Sequence, residues 1–310
     1  MASSLVVCKV AVILACCDGS FFLNDFIDSV SLQTLSPTVI AQDDGSSDNT
    51  PQILASRADQ LVLLNDRLGN VGIVENFNIL AKATDAPYLV FADQDDIWEA
   101  DKLAVQMELM RQMERKFGAD MPLLVHSDLA VCDEHRCVID SSLWRFQRLD
   151  PRVRSFARLL VQNNVTGCTV LINKPLKDLA FPVPEGAIMH DWWLAIVAAA
   201  FGRIGYVSRP LVRYRQHQGN ELGAVRSDLY GAMKRFKKTD QQRSLRAAQH
   251  QAQLFCDRFS GRCDMTDELH LAEKYATIQT KCYAQRLQTI CKYGFWKQDF
   301  IRNVGFIISI

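Results

Sequence analysis

Along the first 120 residues, short apolar runs rich in β-branched residues recur, and each stops at a polar turn that opens onto helically spaced apolar residues. Val10 to Cys16 stops at Cys17-Asp18-Gly19-Ser20, after which Phe22, Phe26, Ile27 and Val30 fall on one helical face. Thr38 to Gln42 stops at Asp43-Asp44-Gly45-Ser46. Pro51 then suits the first turn of a helix capped by Asp48 or Asn49. Leu61 to Leu64 makes a third strand. A loop from Asn65 to Asn70 follows, then a helix face of Val74, Phe77, Leu80 and Ala81. Tyr88 to Ala92 is the fourth strand, and Leu103, Met107, Met110 and Phe117 stripe the helix behind it. Strands alternating with helices about every 25 residues predict βαβ units, hence an α/β fold with a mostly parallel sheet flanked by helices.

Beyond residue 120 the pattern loosens. Leu123 to Asp128 reads as a strand, and Leu129 to Cys132 with Cys137 to Ile139 as a hairpin. Val165 to Ile172 reads as a strand with Gly167 at its middle, and Leu194 to Phe201 as an apolar helix opened by Met189-His190-Asp191-Trp192-Trp193. Arg203 to Ser208 and Leu211 to Tyr214 are two late strands. From Leu222 onward strand signals stop and the chain turns helical and charged.

A chain of 310 residues accommodates one α/β domain of about 220 residues with an appendage. Lys+Arg and Asp+Glu both total 35, but unevenly. From Arg226 on there are 15 Lys/Arg against 8 Asp/Glu, leaving 20 against 27 before it, so an acidic body carries a basic tail. Ten cysteines include no C-x-x-C pair and no Cys/His metal spacing, and several sit in apolar runs. Reduced thiols in a cytoplasmic setting are expected. Leu5 to Cys17 is interrupted by Lys9 and reads as a first strand rather than a leader peptide, and no run is long enough to cross a bilayer.

Asp93-Gln94-Asp95-Asp96 places three carboxylates within four residues directly after the fourth strand. In open α/β sheets, ligands bind off that carboxyl edge. Two readings fit: a helix N-terminus, where Asp is favoured, or a hard divalent cation that relieves the mutual repulsion. The turn at Asp43-Asp44 also has two readings, an Asx turn or acceptors for a nucleoside's hydroxyl and N–H groups. No G-x-x-x-x-G-K-[ST] occurs, and Gly19 alone marks the first βα turn, which disfavours a P-loop enzyme and a dinucleotide dehydrogenase.

Taken in order, Val10-Ala-Val-Ile-Leu-Ala15, Asp43-Asp-Gly-Ser-Ser-Asp-Asn-Thr50, Gly69-Asn-Val-Gly72 with Asn76-Phe77, and Asp93-Gln-Asp-Asp-Ile-Trp98 resemble the family 2 glycosyltransferases. Within these the chain looks most like bacterial rhamnosyltransferases of surface-polysaccharide synthesis. Gly167-Cys168, His190-Asp-Trp-Trp193 and Tyr214-Arg-Gln-His217 continue the series, so the likeness spans roughly residues 8 to 221. It departs at Cys16-Cys17, where the family has a hydroxyl and an aromatic residue edging the base. The resemblance implies a GT-A-like domain over residues 1–221 and a helical basic extension over 222–310. It implies an inverting, metal-dependent transfer of a sugar onto a cell-surface polysaccharide or lipid-linked oligosaccharide, with L-rhamnose from a dTDP-linked donor as the leading choice. A UDP-hexose or UDP-N-acetylhexosamine donor is the alternative, and a non-catalytic nucleotide-sugar or glycan-binding module a third. Ala15, Asp18, Asp44, Asn76, Asp93 and Gln94 would line the nucleotide-sugar site. Asp93, Asp95 and His217 would hold Mn²⁺ or Mg²⁺, with Asp96 capping the helix. Gly167, Trp192 and Trp193 would meet the acceptor, and Asp191 would be the general base. Asp128 would border the donor pocket. An apolar setting raises the pKa of a carboxylate, which suits Asp191 to that task.

The basic, aromatic tail around Lys234 to Lys238 and Phe295 to Ile308 has two readings. One is an amphipathic surface on the cytoplasmic face of an anionic inner membrane; the other is a packed helical subdomain or homodimer contact. An acidic body without a nucleic-acid motif speaks against a nucleic-acid partner.

Overall fold

The computed structural model describes residues 10–64, 69–217, 238–262 and 266–310. Nine strands form one sheet in the order β3-β2-β1-β4-β8-β6-β9-β5, with β7 paired to β6. β1 (Val10–Cys16), β2 (Thr38–Asp43), β3 (Val62–Leu64) and β4 (Tyr88–Asp93) run parallel. β5 (Ile97–Trp98) is a short edge strand. β6 (Leu123–Cys132) and β9 (Arg203–Arg215) are long and parallel to each other, while β7 (Val138–Asp140) and β8 (Leu171–Asn173) pair antiparallel with β6. The expected mostly parallel α/β sheet is therefore present, and its order reverses at β1, between β2 and β4.

Both faces of the sheet are covered, which is why β1 and β4 read as unbroken apolar runs rather than alternating ones. On one face Val12, Leu14 and Val90 meet Phe26, Ile27 and Val30 of helix α1 (Leu23–Ser31), Leu54 of α2 (Thr50–Ser56), and Leu103, Met107 and Met110 of α4 (Lys102–Phe117). On the other, Ile13, Leu89 and Phe91 meet Phe77 and Leu80 of α3 (Ile73–Lys82), then α6 (Phe156–Val161), α7 (Lys174–Ala180) and α8 (His190–Phe201). Between these last helices and α4 comes α5 (Leu143–Gln147). The helices Lys238–Phe259, Thr266–Ala276, Tyr283–Tyr293 and Phe300–Ser309 extend this second core, contributing Phe255, Phe259, Tyr275 and Phe306, with Phe295 from the link between the last two. The 221/222 division and Lys234 to Lys237 lie outside the described residues.

Three local expectations change. Val165 to Ile172 is not one strand: Gly167–Thr169 forms a 3-10 turn, and only Leu171–Asn173 pairs. The two late strands are a single one, with register shifts against β6 absorbing Pro210. The helix behind the acidic motif starts at Lys102 with Asp101 as its N-cap, because Ile97 and Trp98 first pair with Arg213 and Val212. Asp96 therefore caps nothing. It lies 0% exposed beneath the sheet edge.

Candidate active site

The carboxyl ends of β1, β2 and β4 are tied together by side chain-to-backbone bonds. Asp18 lies in the left-handed region at φ 46°, and its Oδ1 accepts from Ser47 N at 2.7 Å while its own N–H donates to Ser46 Oγ at 2.8 Å. Gln94 accepts from Cys17 N at 3.0 Å and donates to Cys17 O at 2.6 Å, so both ends of its amide are committed to the β1 turn. Gly19 leaves room for this: a Cβ there would stand 2.1 Å from Gln94 Oε1. Asp44, nearly buried, accepts from Val71 N at 2.7 Å and Gly72 N at 2.9 Å, clamping the glycine loop onto β2. Asp44 and Gln94 thus first hold loops in place, a task their position in the motifs does not reveal. Ala15 pairs in register with Asp93 and Gln42 at the point of strand reversal. Asn76 is buried on α3, its Oδ1 without a protein hydrogen-bond partner.

At the same edge His217 Nε2 stands 2.8 Å from Asp95 Oδ2. The imidazole packs on Phe22, centroid to centroid 4.6 Å, and the same ring carries the Arg215 guanidinium at 4.5 Å. Arg215 is in turn bound to Asp25 at 3.1 Å. Phe22 and Arg215, which hold His217 against the acids, were not singled out by the sequence, although Arg215 lies within the Tyr214-Arg-Gln-His217 run.

Behind Asp95 lies a second, buried group. Ligating atoms of Asp93, Asp96 and Cys168 all fall within 4.8 Å of one another. Lys102, fully buried, sits 3.4 Å above the Trp98 ring. Burial, then the charges of Asp95 and Asp93, push Asp96 well above the usual carboxylate range, and burial draws Lys102 down to about 7. Each is driven toward its neutral form. Of the three expected metal ligands, Asp95 and His217 stand together, while Asp93 gathers with Asp96 and Cys168. Among the described residues they therefore do not form one group, although their oxygens and imidazole are donors that Mn²⁺ or Mg²⁺ accept.

Asp191 occupies the first turn of α8. Burial raises its pKa to about 7, against the lowering effect of N–H groups from Trp192 and Gly167 and of Asn163, whose amide lies 3.2 Å away. The turn at Gly167–Thr169 joins the two clusters. The Gly167 N–H reaches Asp191, while the adjacent Cys168 thiol lies against Asp96 and Asp93. A Cβ on Gly167 would sit 2.9 Å from the His190 ring.

Two expectations are corrected here. Trp193 is 0% exposed, stacked on Phe259 with its indole N–H bonded to Ala180 O at 3.0 Å, so it belongs to the core and cannot meet an acceptor. A buried side chain of that kind contributes about 1.5–3 kcal/mol. Trp192 keeps a partly exposed ring, its N–H taken by Leu159 O at 2.6 Å. Asp128 accepts from Ser142 Oγ, Leu129 N and Trp144 N and anchors the start of α5 instead of a donor pocket.

Residues 11–120 match the family model described as Glycosyl transferase family 2. An uncharacterized protein of Mycobacterium tuberculosis is 28% identical over 187 residues, covering 58% of this chain and 50% of that protein. An uncharacterized glycosyltransferase of a Nostoc species is 24% identical over 225 residues, covering 68% of this chain and 66% of that one. The chain spans about half the length of the first of these relatives. Among solved structures, S. aureus TarS 1-349 in complex with UDP-GlcNAc aligns at TM-score 0.56 and 14% identity, over 97% of this chain and 89% of that one. A mannosyltransferase from Pyrobaculum calidifontis, in complex with GDP-Man and Mn²⁺, aligns at TM-score 0.54 and 14% identity, over 97% and 85%. The fold is GT-A-like, shared by these transferases.

Proposed function

We propose that this chain is an inverting glycosyltransferase moving a sugar from a nucleoside diphosphate onto a hydroxyl of a surface glycan or lipid-linked oligosaccharide, with a divalent cation at Asp93, Asp95 and His217. The observation that carries the proposal is the Gly167–Cys168 turn, which brings the buried Asp191 carboxyl, taken by the Gly167 N–H, next to the Cys168 thiol that lies against Asp93 and Asp96. Asp191 takes the acceptor hydroxyl proton as that oxygen bonds to the anomeric carbon, and the bond to the diphosphate breaks on the opposite face. The cation, when bound, stabilises the charge gathering on the leaving diphosphate. Phe22 and Arg215 keep His217 turned toward Asp95, and Gln94, Asp18 and Asp44 fix the loops around the nucleoside. A binding module has no use for a carboxylate tuned to neutrality, which favours the catalytic reading.

The donor of first choice is dTDP-L-rhamnose, carried by the motif series of the sequence. A UDP-linked hexose or N-acetylhexosamine is the second reading, supported by the likeness to a fold that binds UDP-GlcNAc. A lipid-linked acceptor agrees with the exposed stripe of Phe300, Val304 and Ile308 on the last helix, a surface suited to the cytoplasmic face of the inner membrane or to a second copy of the chain. No helix among the described residues is long and apolar enough to cross a membrane. The test is a thermal-shift panel of dTDP-, UDP- and GDP-sugars with and without Mn²⁺, followed by transfer assays on the donor that binds. Binding of one donor only with the metal present, lost in Asp95→Ala, is the expected result. Full turnover by Asp95→Ala would remove the metal assignment, and turnover by Asp191→Asn would remove the base.

A further inference from the structure

A second concave site lies at the opposite end of the sheet. β9 runs from Arg203 to Arg215, thirteen residues. At about 3.3 Å per residue its first residue stands on the order of 40 Å from the Asp95–His217 edge. There the C-terminal half of α4, the start of β9 and the segment before α6 enclose a cavity of about 560 Å³. Its lining contains Lys116, Arg154 and Arg203 and no carboxylate. None of these three cations has a carboxylate ion-pair partner among the described residues, in a chain whose other surface arginines are repeatedly paired, such as Arg57, Arg145, Arg209 and Arg213.

The three cations are exposed, and each is oriented by an aromatic ring or a backbone oxygen. Lys116 Nζ lies 5.1 Å and the Arg203 guanidinium 5.6 Å from the centre of the Phe117 ring, and Arg154 stands 5.6 Å from Tyr206. Arg154 donates to Ile204 O and Arg203 to Gly202 O, each at 2.6 Å. A guanidinium carries five N–H donors in a rigid fork, so each has further donors to offer. Like charges gathered around one hollow repel, which costs stability unless an anion shares the space. Planar forks beside a flexible ammonium match the oxygens of a phosphoryl group, and arginine is favoured wherever such groups are bound. A cavity of this size exceeds what one phosphate fills and accommodates a phosphate with a sugar attached.

We propose that this cavity binds a phosphoryl-bearing ligand, a sugar phosphate or a phosphate-linked glycan, independently of the donor edge. The assignment does not depend on the donor or acceptor named above, because no residue is shared between the two sites.

Equilibrium titration in EDTA, with inorganic phosphate, inorganic pyrophosphate and a hexose 1-phosphate as probes, tests it. Chelation leaves the acidic edge without the cation that draws a diphosphate there. The expected result is one molecule bound per chain, weakened at least tenfold in Arg154→Gln/Arg203→Gln and severalfold in Lys116→Ala. Asp95→Ala binds as the parent does. Circular dichroism melts check that each variant is folded, and Arg154→Lys/Arg203→Lys, which keeps the charge, recovers part of the affinity. Tighter binding of the hexose phosphate than of free phosphate assigns the site to a phosphosugar; equal binding assigns it to phosphate itself. No binding of any probe at millimolar concentration, or binding lost in Asp95→Ala and kept in the arginine and lysine variants, overturns the proposal.

Discussion

The donor edge and the head of α8 both present carboxylates, yet they are built by opposite means. At the donor edge, polar atoms bond across long stretches of chain, and Asp18, Asp44 and Asp48 are held by N–H and hydroxyl donors. Asp48 is the extreme case: burial alone would raise its pKa, but hydrogen bonds from Ser20 and Thr50 hold it at about 2. At α8 the surroundings are apolar, with His190 stacked on Phe91 and tilted against Phe77 and Trp193 sunk into the core, and desolvation carries Asp191 to about 7. Hydrogen bonding fixes charge, and burial frees a proton to move. One fold thereby keeps Asp48 ionised and gives Asp191 a proton to move.

Removing the base breaks this comparison most sharply. Asp191→Asn is expected to lower kcat about 10²–10⁴-fold, the range for a general base. In the parent enzyme, activity should rise as pH climbs through about 7, since the ionised form accepts the proton. Stability moves the other way. The unfolded carboxyl ionises near 3.9 and the folded one near 7, so the fold loses stability between those values and regains none above them. Asp191→Asn should therefore melt higher than the parent at pH 8, by on the order of 1–3 kcal/mol, and by less at pH 5. A variant equally inactive but no more stable at pH 8 would mean that burial is not what tunes the residue. Activity against pH and paired melting curves read both.

The donor edge is sharpened by Gly19→Ala. The new Cβ takes the place of the Gln94 amide, whose end is flexible, so the fold tolerates the change while both bonds to Cys17 go. At about 1 kcal/mol for each hydrogen bond, the melting temperature should fall by a few degrees, and donor KM should rise severalfold as the β1 turn loses its anchor. The α8 side has its counterpart in Gln251, fully buried on the helix Lys238–Phe259, which accepts from Ile188 N at 2.9 Å just before Asp191. Gln251→Leu should lower kcat about fivefold, the value of one such bond, and leave donor KM and the metal response unchanged. An effect on donor KM would show that the two regions are not built separately.

This division also decides what the chain disclosed before folding. Strands, helices and the acidic turns were legible because their signals are local: apolar runs, periods of 3.6 and a proline at a helix start. The long-range choices were not. Gln94 reads as one more polar residue until it meets Cys17, 77 positions away. Asp96 becomes buried only because Ile97 and Trp98 pair with Arg213 and Val212. Trp192 and Trp193 are adjacent on one helix, so which of them enters the core is set by Ala180 and Phe259, neither of them near in sequence. Gly167 looked like the middle of a strand because β-branched residues flank it. The His190 ring pressed against it favours a turn instead.

The smallest expected effect tests whether the donor edge draws its stability from hydrogen bonds to charge. Asp48 accepts from Ser20 N at 2.9 Å with one oxygen and from Thr50 N at 2.9 Å and Thr50 Oγ1 at 2.6 Å with the other. Its folded pKa of about 2 lies below the unfolded value near 3.9, so its contribution is complete above pH 4 and lost as pH falls through 2. Asp48→Asn keeps one acceptor oxygen and gives up the charge. Discounted for solvent screening at this partly exposed site, the change should cost about 1 kcal/mol at pH 7, a melting temperature lower by a few degrees. Between pH 4 and pH 2 the gap between parent and variant should close, the reverse of the Asp191→Asn series. A gap that stays constant across that range would mean that Asp48 acts through its shape alone, and that the two regions differ in packing rather than in how they treat charge.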